Sequence, residues 1–348
     1  MDTAGGNKTT KKRSGFNYIG DFKEYFRRTY TALFKEMSDY GRASILQKKL
    51  ERSDVHKYLD EVRHSILFLG QIHKPTVNPA DMPVLETFRR SSATPDAFKT
   101  HVPRTTPYSI LLEMVVRAEG PGNSNAIKTT LEGLAERILK PYSPTKPKLP
   151  FFATVVSQSC FCDEEQGDDI INAPPMPFWG ASLSSSGKEA SKIMLALNCL
   201  FNWHPLVAQA VTFARNNPDA SGILKFPPTV TSKAYKHNDL NLKLDECPPC
   251  SRCVTLFTSC TFMPCPETMV ENIQKVYWEF GNCAETEAIS NLLKGNTYLA
   301  RKVEGTNDYI HMESERTAEA NQWLNICKWP GGLEVFIPSG PRTPQASS

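Results

Sequence analysis

The stretch Gly281-Asn282-Cys283-Ala284-Glu285-Thr286-Glu287-Ala288-Ile289 decides how this chain is read. It sets a cysteine two residues before a carboxylate, at the start of an expected helix over 283–293. Ala288, Ile289, Leu292 and Leu293 give that helix one buried face. Upstream lies a second cluster, Pro249-Cys250-Ser251-Arg252-Cys253. Together they offer three thiolates for a metal and one carboxylate, Glu285, that is free of it. That inventory suits a zinc site with an open fourth position.

Working outward, residues 151–337 alternate between strand and helix patterns. Residues 151–157 are β-prone, and 240–244 alternate as a strand running toward Cys247. Residues 223–226, 229–231, 298–303 and 309–312 are expected as short strands. Helices are expected over 188–210 (broken near His204-Pro205), 251–258, 266–280 and 319–326. Cys160-Phe161-Cys162 and the acidic run after it are read as a loop, and this lone pair is too unspecific to mark a metal site. His204, between Trp203 and Pro205, is read as a packed histidine. No Gly-rich phosphate loop, Gly-x-Ser-x-Gly elbow or internal repeat is present.

Residues 141–150 hold four prolines in ten positions, a stiff connection and the expected domain boundary. Before it, 15–140 reads as a helical domain. Phe22, Phe26, Leu33, Phe34 and Met37 recur at helical spacing behind Asp21, and Val55, Leu59, Val62, Ile66 and Leu69 form a second stripe. Both are read as core. Helices are expected over 21–37, 42–51, 53–69, 107–118 and 124–139, with a short one near 85–90. His56 and His64 stand too far apart for a helical metal pair. The polar ends, 1–14 and 338–348, are expected to be disordered.

The whole chain narrows the function. Net charge is only +3, so no polyanionic partner is demanded, although residues 1–52 carry 12 Lys/Arg against 6 Asp/Glu. That patch is a solvated helix face or a nucleic-acid or membrane contact. No apolar run reaches the ~20 residues of a membrane span. With no signal core, ten cysteines point to free thiols or metal ligation rather than a disulfide framework. An intracellular protein is expected, cytoplasmic rather than nuclear, because Lys11-Lys12-Arg13 is too short a nuclear address.

Cys250 and Cys253, three apart at a helix start, can aim both sulfurs to one side, and Cys283 can supply a third from another helix start. Cys-Ala-Glu followed by Thr-Glu-Ala-Ile, together with Pro-Cys-x-x-Cys, resembles the zinc signature of the cytidine and nucleotide deaminase superfamily, with the two motifs in reversed order. The resemblance implies an α/β fold: a mixed sheet with flanking helices, here preceded by the mostly helical domain. It implies Cys250, Cys253 and Cys283 as Zn²⁺ ligands and Glu285 as proton shuttle. The implied reaction is hydrolytic deamination of a cytosine-type base in a nucleoside, nucleotide or nucleic acid. Arg252 would offset the charge of three thiolates. Asn282 would contact substrate or cap the helix. Three other readings stand beside this one. Cys247, or Cys260 or Cys265, could complete a closed four-thiolate structural site in a non-catalytic interaction module whose helical half binds a protein partner. Cys247 and Cys250 could form a redox pair. The cysteines could also be simply buried.

Overall fold

The computed structural model describes residues 18–74, 76–77, 97–139, 150–162, 175–185, 187–219, 223–264, 278–305 and 313–338. The elements expected at 85–90, 266–280 and 309–312 fall wholly or mostly outside these residues. So do the N-terminus, nearly all of 141–150 and most of the C-terminal tail.

The first half is helical: α1 (Tyr18–Leu46), α2 (Arg52–Ile72), a short α3 (Ala97–Thr100), α4 (Pro107–Glu119) and α5 (Ser124–Leu139). Local chemistry sets the starts. Thr106 Oγ1 accepts from Ser109 N at 3.4 Å ahead of Pro107. Asn123 Oδ1 accepts from Ala126 N at 3.4 Å. One helix replaces the two expected over 21–37 and 42–51. A side chain at Gly41 would meet Val55 and Met114. Close packing of α1 on α2 and α4 holds the helix through it, against a propensity cost of about 1 kcal/mol. The expected stripes are core: Phe26, Leu33, Phe34 and Met37 of α1 join Val55, Val62, Ile66 and Leu69 of α2.

His64 is fully buried in α2, its ring stacked on Phe336 with centroids 4.2 Å apart. Phe336 belongs to a segment held by Phe336 N on Val102 O at 2.8 Å. Burial pushes the imidazole down to about 3. A histidine lowered in the fold contributes its full stability above the unfolded value near ~6.5 and loses it as pH falls toward the folded value. Between pH 7 and pH 4 this one group should cost about 3 kcal/mol. Urea unfolding of the wild type and His64→Gln at both pH values checks this. The variant's acid loss should be smaller by about that amount, and equal losses would remove the explanation.

The second half builds a mixed α/β arrangement. Its strands are β1 (Val155–Phe161), β2 (Phe178–Ala181), β3 (Leu224–Lys225), β4 (Val230–His237), β5 (Leu244–Cys247), β6 (Phe257–Thr258), β7 (Thr261–Met263) and β8 (Glu304–Gly305). Its helices are α6 (Lys188–Leu197), which runs into a π-helical turn over Asn198–Asn202, then α7 (Pro205–Asn216), α8 (Ser251–Leu256), α9 (Ala284–Gly295), α10 (Thr297–Lys302) and α11 (Glu313–Ile326). The main sheet has the path β2-β1-β4-β5, with each neighbouring pair along it antiparallel. β7 runs parallel to β4 beside Thr231–Lys233, while β5 pairs with Ala234–His237. A small second sheet has the order β6-β3-β8.

Several expectations are corrected. Cys160 and Phe161 are not in a loop but extend β1, paired with Thr231 and Val230. Residues 240–243 do not form a strand. Leu240 N donates to Asn238 Oδ1 at 2.9 Å in an Asn-led turn, and the strand begins at Leu244. Residues 298–302 are helix rather than strand, because Asn296 Oδ1 accepts from Leu299 N at 2.8 Å and starts α10. The helix expected over 251–258 stops at Leu256, and Phe257–Thr258 pair with β3.

The helix that opened the sequence reading, α9, lies directly on β2 and β1. Beneath it the sheet is small and polar. Gly180 pairs with Ser157, and Ser159 with Ser232, so these four residues share one face. Ser159 Oγ donates to Ser232 Oγ at 3.0 Å, which satisfies the buried hydroxyls. A Cβ on Gly180 would run into Ala288 N and Ala284 O. That is helix backbone and cannot yield, so glycine sets how closely α9 approaches. The other face of α9 puts Ile289, Leu292 and Leu293 into the core with Val207, Val211 and Phe262.

Candidate metal centre

Cys250 is the N-cap residue of α8, reached from β5 through Pro248-Pro249. Its carbonyl accepts from Cys253 N at 3.1 Å and Val254 N at 3.3 Å, the first turn of the helix. Cys253 is therefore one turn on and on the same side. Cys283 is the N-cap residue of α9. Gly281 precedes it at φ +94°, a conformation glycine adopts without strain, and a side chain there would strike Leu195, Val211 and Trp203. Leu183 N donates to Asn282 O at 2.9 Å and ties this entry to the end of β2.

These elements bring the three sulfurs together. Cys250 Sγ lies 3.6 Å from Cys253 Sγ and 3.0 Å from Cys283 Sγ, and all three fall within 4.8 Å of one another. A tetrahedral zinc with bonds of about 2.3 Å needs sulfurs about 3.8 Å apart. The Cys250–Cys253 spacing is close to that, the Cys250–Cys283 spacing is shorter, and the soft donor set suits zinc. Among the described residues this is the one such group of three or more His, Cys, Asp or Glu side chains. Hydrogen bonding with Cys253 and Cys283, helped by the backbone N–H groups of Cys253 and Arg252, holds the Cys250 thiol far down, at about 3. The same bonding to Cys250 pushes Cys253 and Cys283 up. A bound cation would take the place of the thiol protons.

Glu285 stands in the first turn of α9 with only 4% of its surface exposed. Its carboxyl is pushed up to about 7, first by burial and then by the charge on Cys250. It is not among the three grouped donors. Cys247, at the end of β5, also lies outside the group, as does buried Cys260. Burial pushes both thiols up to about 12, with the Glu285 charge next in importance. Cys265 lies outside the described residues. Nine cysteines are free among the described residues, so no Cys247–Cys250 disulfide is formed.

The neighbours are placed as follows. Asn282 is not the cap of α9, since Cys283 is, and its Oδ1 is buried with no hydrogen-bond partner. The Arg252 guanidinium lies 4.3 Å over the Phe280 ring. Trp278 Nε1 donates to Cys283 Sγ at 3.2 Å. His204 takes no part in the sulfur group. Its Nδ1 accepts from Leu206 N at 3.3 Å and its N donates to Ser290 Oγ at 2.7 Å, a capping and packing role at the start of α7.

Sequence reading passed over Glu287. Two residues past Glu285, it points away from the sulfurs and is equally buried. Its carboxylate accepts from Ala181 N at 2.7 Å, Ser109 Oγ at 2.9 Å and Asn202 Nδ2 at 3.2 Å. One side chain thus ties α9 to β2, α4 and the π-helical turn. A second acidic residue on a helix whose Ala288, Ile289, Leu292 and Leu293 are buried was the available signal.

Compared with known proteins, the chain matches no family model, no curated protein and no solved structure.

Proposed function

We propose that this chain is a zinc-dependent hydrolytic deaminase acting on a cytosine-type base. The observation that carries the reading is the joint placement of three thiol donors and one buried carboxylate outside the donor group, all at the starts of α8 and α9. Cys250, Cys253 and Cys283 would hold the ion, which when bound would act as a Lewis acid toward water near neutral pH. Glu285 takes a proton from the attacking water and delivers it to the departing amine, so that amine and water become carbonyl and ammonia. Burial and a value near neutrality suit a carboxylate that must both accept and return a proton. Asn282 Oδ1, buried and unpartnered, accepts an N–H or O–H from the substrate.

The closed four-thiolate alternative lacks a fourth sulfur in the group among the described residues. Among the described residues, five basic side chains near the N-terminus are paired within the chain. Arg27 and Arg28 pair with Glu24, Lys35 with Glu36 and Asp39, Arg42 with Asp39, and Lys49 with Glu119. No described helix is long and apolar enough to cross a membrane.

The test is metal analysis of the purified protein together with ammonia release from a panel of cytosine nucleosides, nucleotides and single strands. About one zinc per chain and release from at least one substrate are expected. A zinc-loaded protein inert across the panel would overturn the enzymatic reading.

A further inference from the structure

Trp278 is the one tryptophan of the chain with a strongly exposed ring, 44% accessible. Trp179 and Trp329 are buried and donate to the carbonyls of Pro121 and Gly332, and Trp323 donates to Glu319. Core packing accounts for them. It does not account for Trp278, whose ring faces water while its N–H is given to a sulfur, Cys283 Sγ, at 3.2 Å. A neutral thiol is a weak acceptor, whereas a thiolate is a strong one, and a bond to an ionised acceptor is roughly twice as strong. The contact therefore gains most when Cys283 is ionised, as a metal ligand must be. Cys283 makes no capping bond from its side chain to α9, so the helix does not fix its sulfur.

We propose that Trp278 is a positioning residue of the metal centre, its indole N–H holding Cys283 Sγ in the orientation of a ligand and drawing charge from it. The inference rests on the metal part of the function proposed above and is independent of the reaction. Partners that orient metal ligands in this way change metal affinity about 10–100-fold when removed.

Titration of the metal-free full-length protein with Co²⁺ tests it, because cobalt–thiolate charge-transfer absorption reports on the sulfur itself. The wild type should show that band. Trp278→Phe keeps a ring and loses only the donor. It should bind Co²⁺ about tenfold more weakly, with the band moved to longer wavelength as sulfur donation rises. Trp278→Ala should move both readouts the same way. Unchanged affinity and band position in Trp278→Phe would overturn the assignment while leaving the metal centre standing. A wild type with no thiolate band would instead overturn the metal centre, and this assignment with it.

Discussion

Glu285→Gln is expected to retain the metal and to lose ammonia release by about 10²–10⁴-fold, the usual worth of a positioned acid–base group. Glutamine has the shape of the carboxylic acid but cannot take a proton from water. Glu285 lies outside the sulfur group, so its replacement removes no ligand. The carboxyl is held up by burial, which means that ionising it costs free energy in the fold. The neutral amide should therefore be tolerated, and thermal stability should hold. Metal content, melting temperature and turnover measured on one preparation check all three. Unchanged turnover in a zinc-loaded variant would remove Glu285 from the mechanism.

The second large effect belongs to the sulfurs. A Cys250→Ala/Cys283→Ala variant keeps one of three donors, Cys253, and should purify without zinc. Cys247→Ala should keep its zinc, because that sulfur stands apart from the group. Elemental analysis of the two variants beside the wild type separates an open centre from a closed four-thiolate one. Zinc loss in Cys247→Ala would favour the closed, non-catalytic site, and zinc retained in the double variant would dismiss both.

The elements that could be read from sequence were those set by local chemistry. The bounds of α5 follow from Asn123 before it and Lys140-Pro141 after it. The core stripes of α1 and α2 follow from periodicity alone. The cysteine group was legible for a similar reason. A three-residue step at a helix start leaves Cys250 and Cys253 little choice of direction, and Cys283 has the same kind of position. What long-range packing decides was not legible. The continuity of α1 through Gly41 depends on the side chains of Val55 and Met114 packed against it. β2 is four residues long and is defined by its pairing to β1. Glu287 draws its partners from three distant segments, and nothing in its own neighbourhood announces Ser109 or Asn202. Trp278 is similar: its relation to Cys283 depends on the turn at Gly281.

The two cysteine clusters also bear on folding. Cys250 and Cys283 are 33 positions apart in the chain and 3.0 Å apart at their sulfurs. An ion joining them would act as a cross-link closing a loop of that length. By loop-closure entropy such a cross-link removes about 3–4 kcal/mol of freedom from the unfolded chain. That contribution does not depend on which motif comes first in the chain, so the reversed order costs the clip nothing. Chelation should then lower the stability of the fold as well as silence any catalysis.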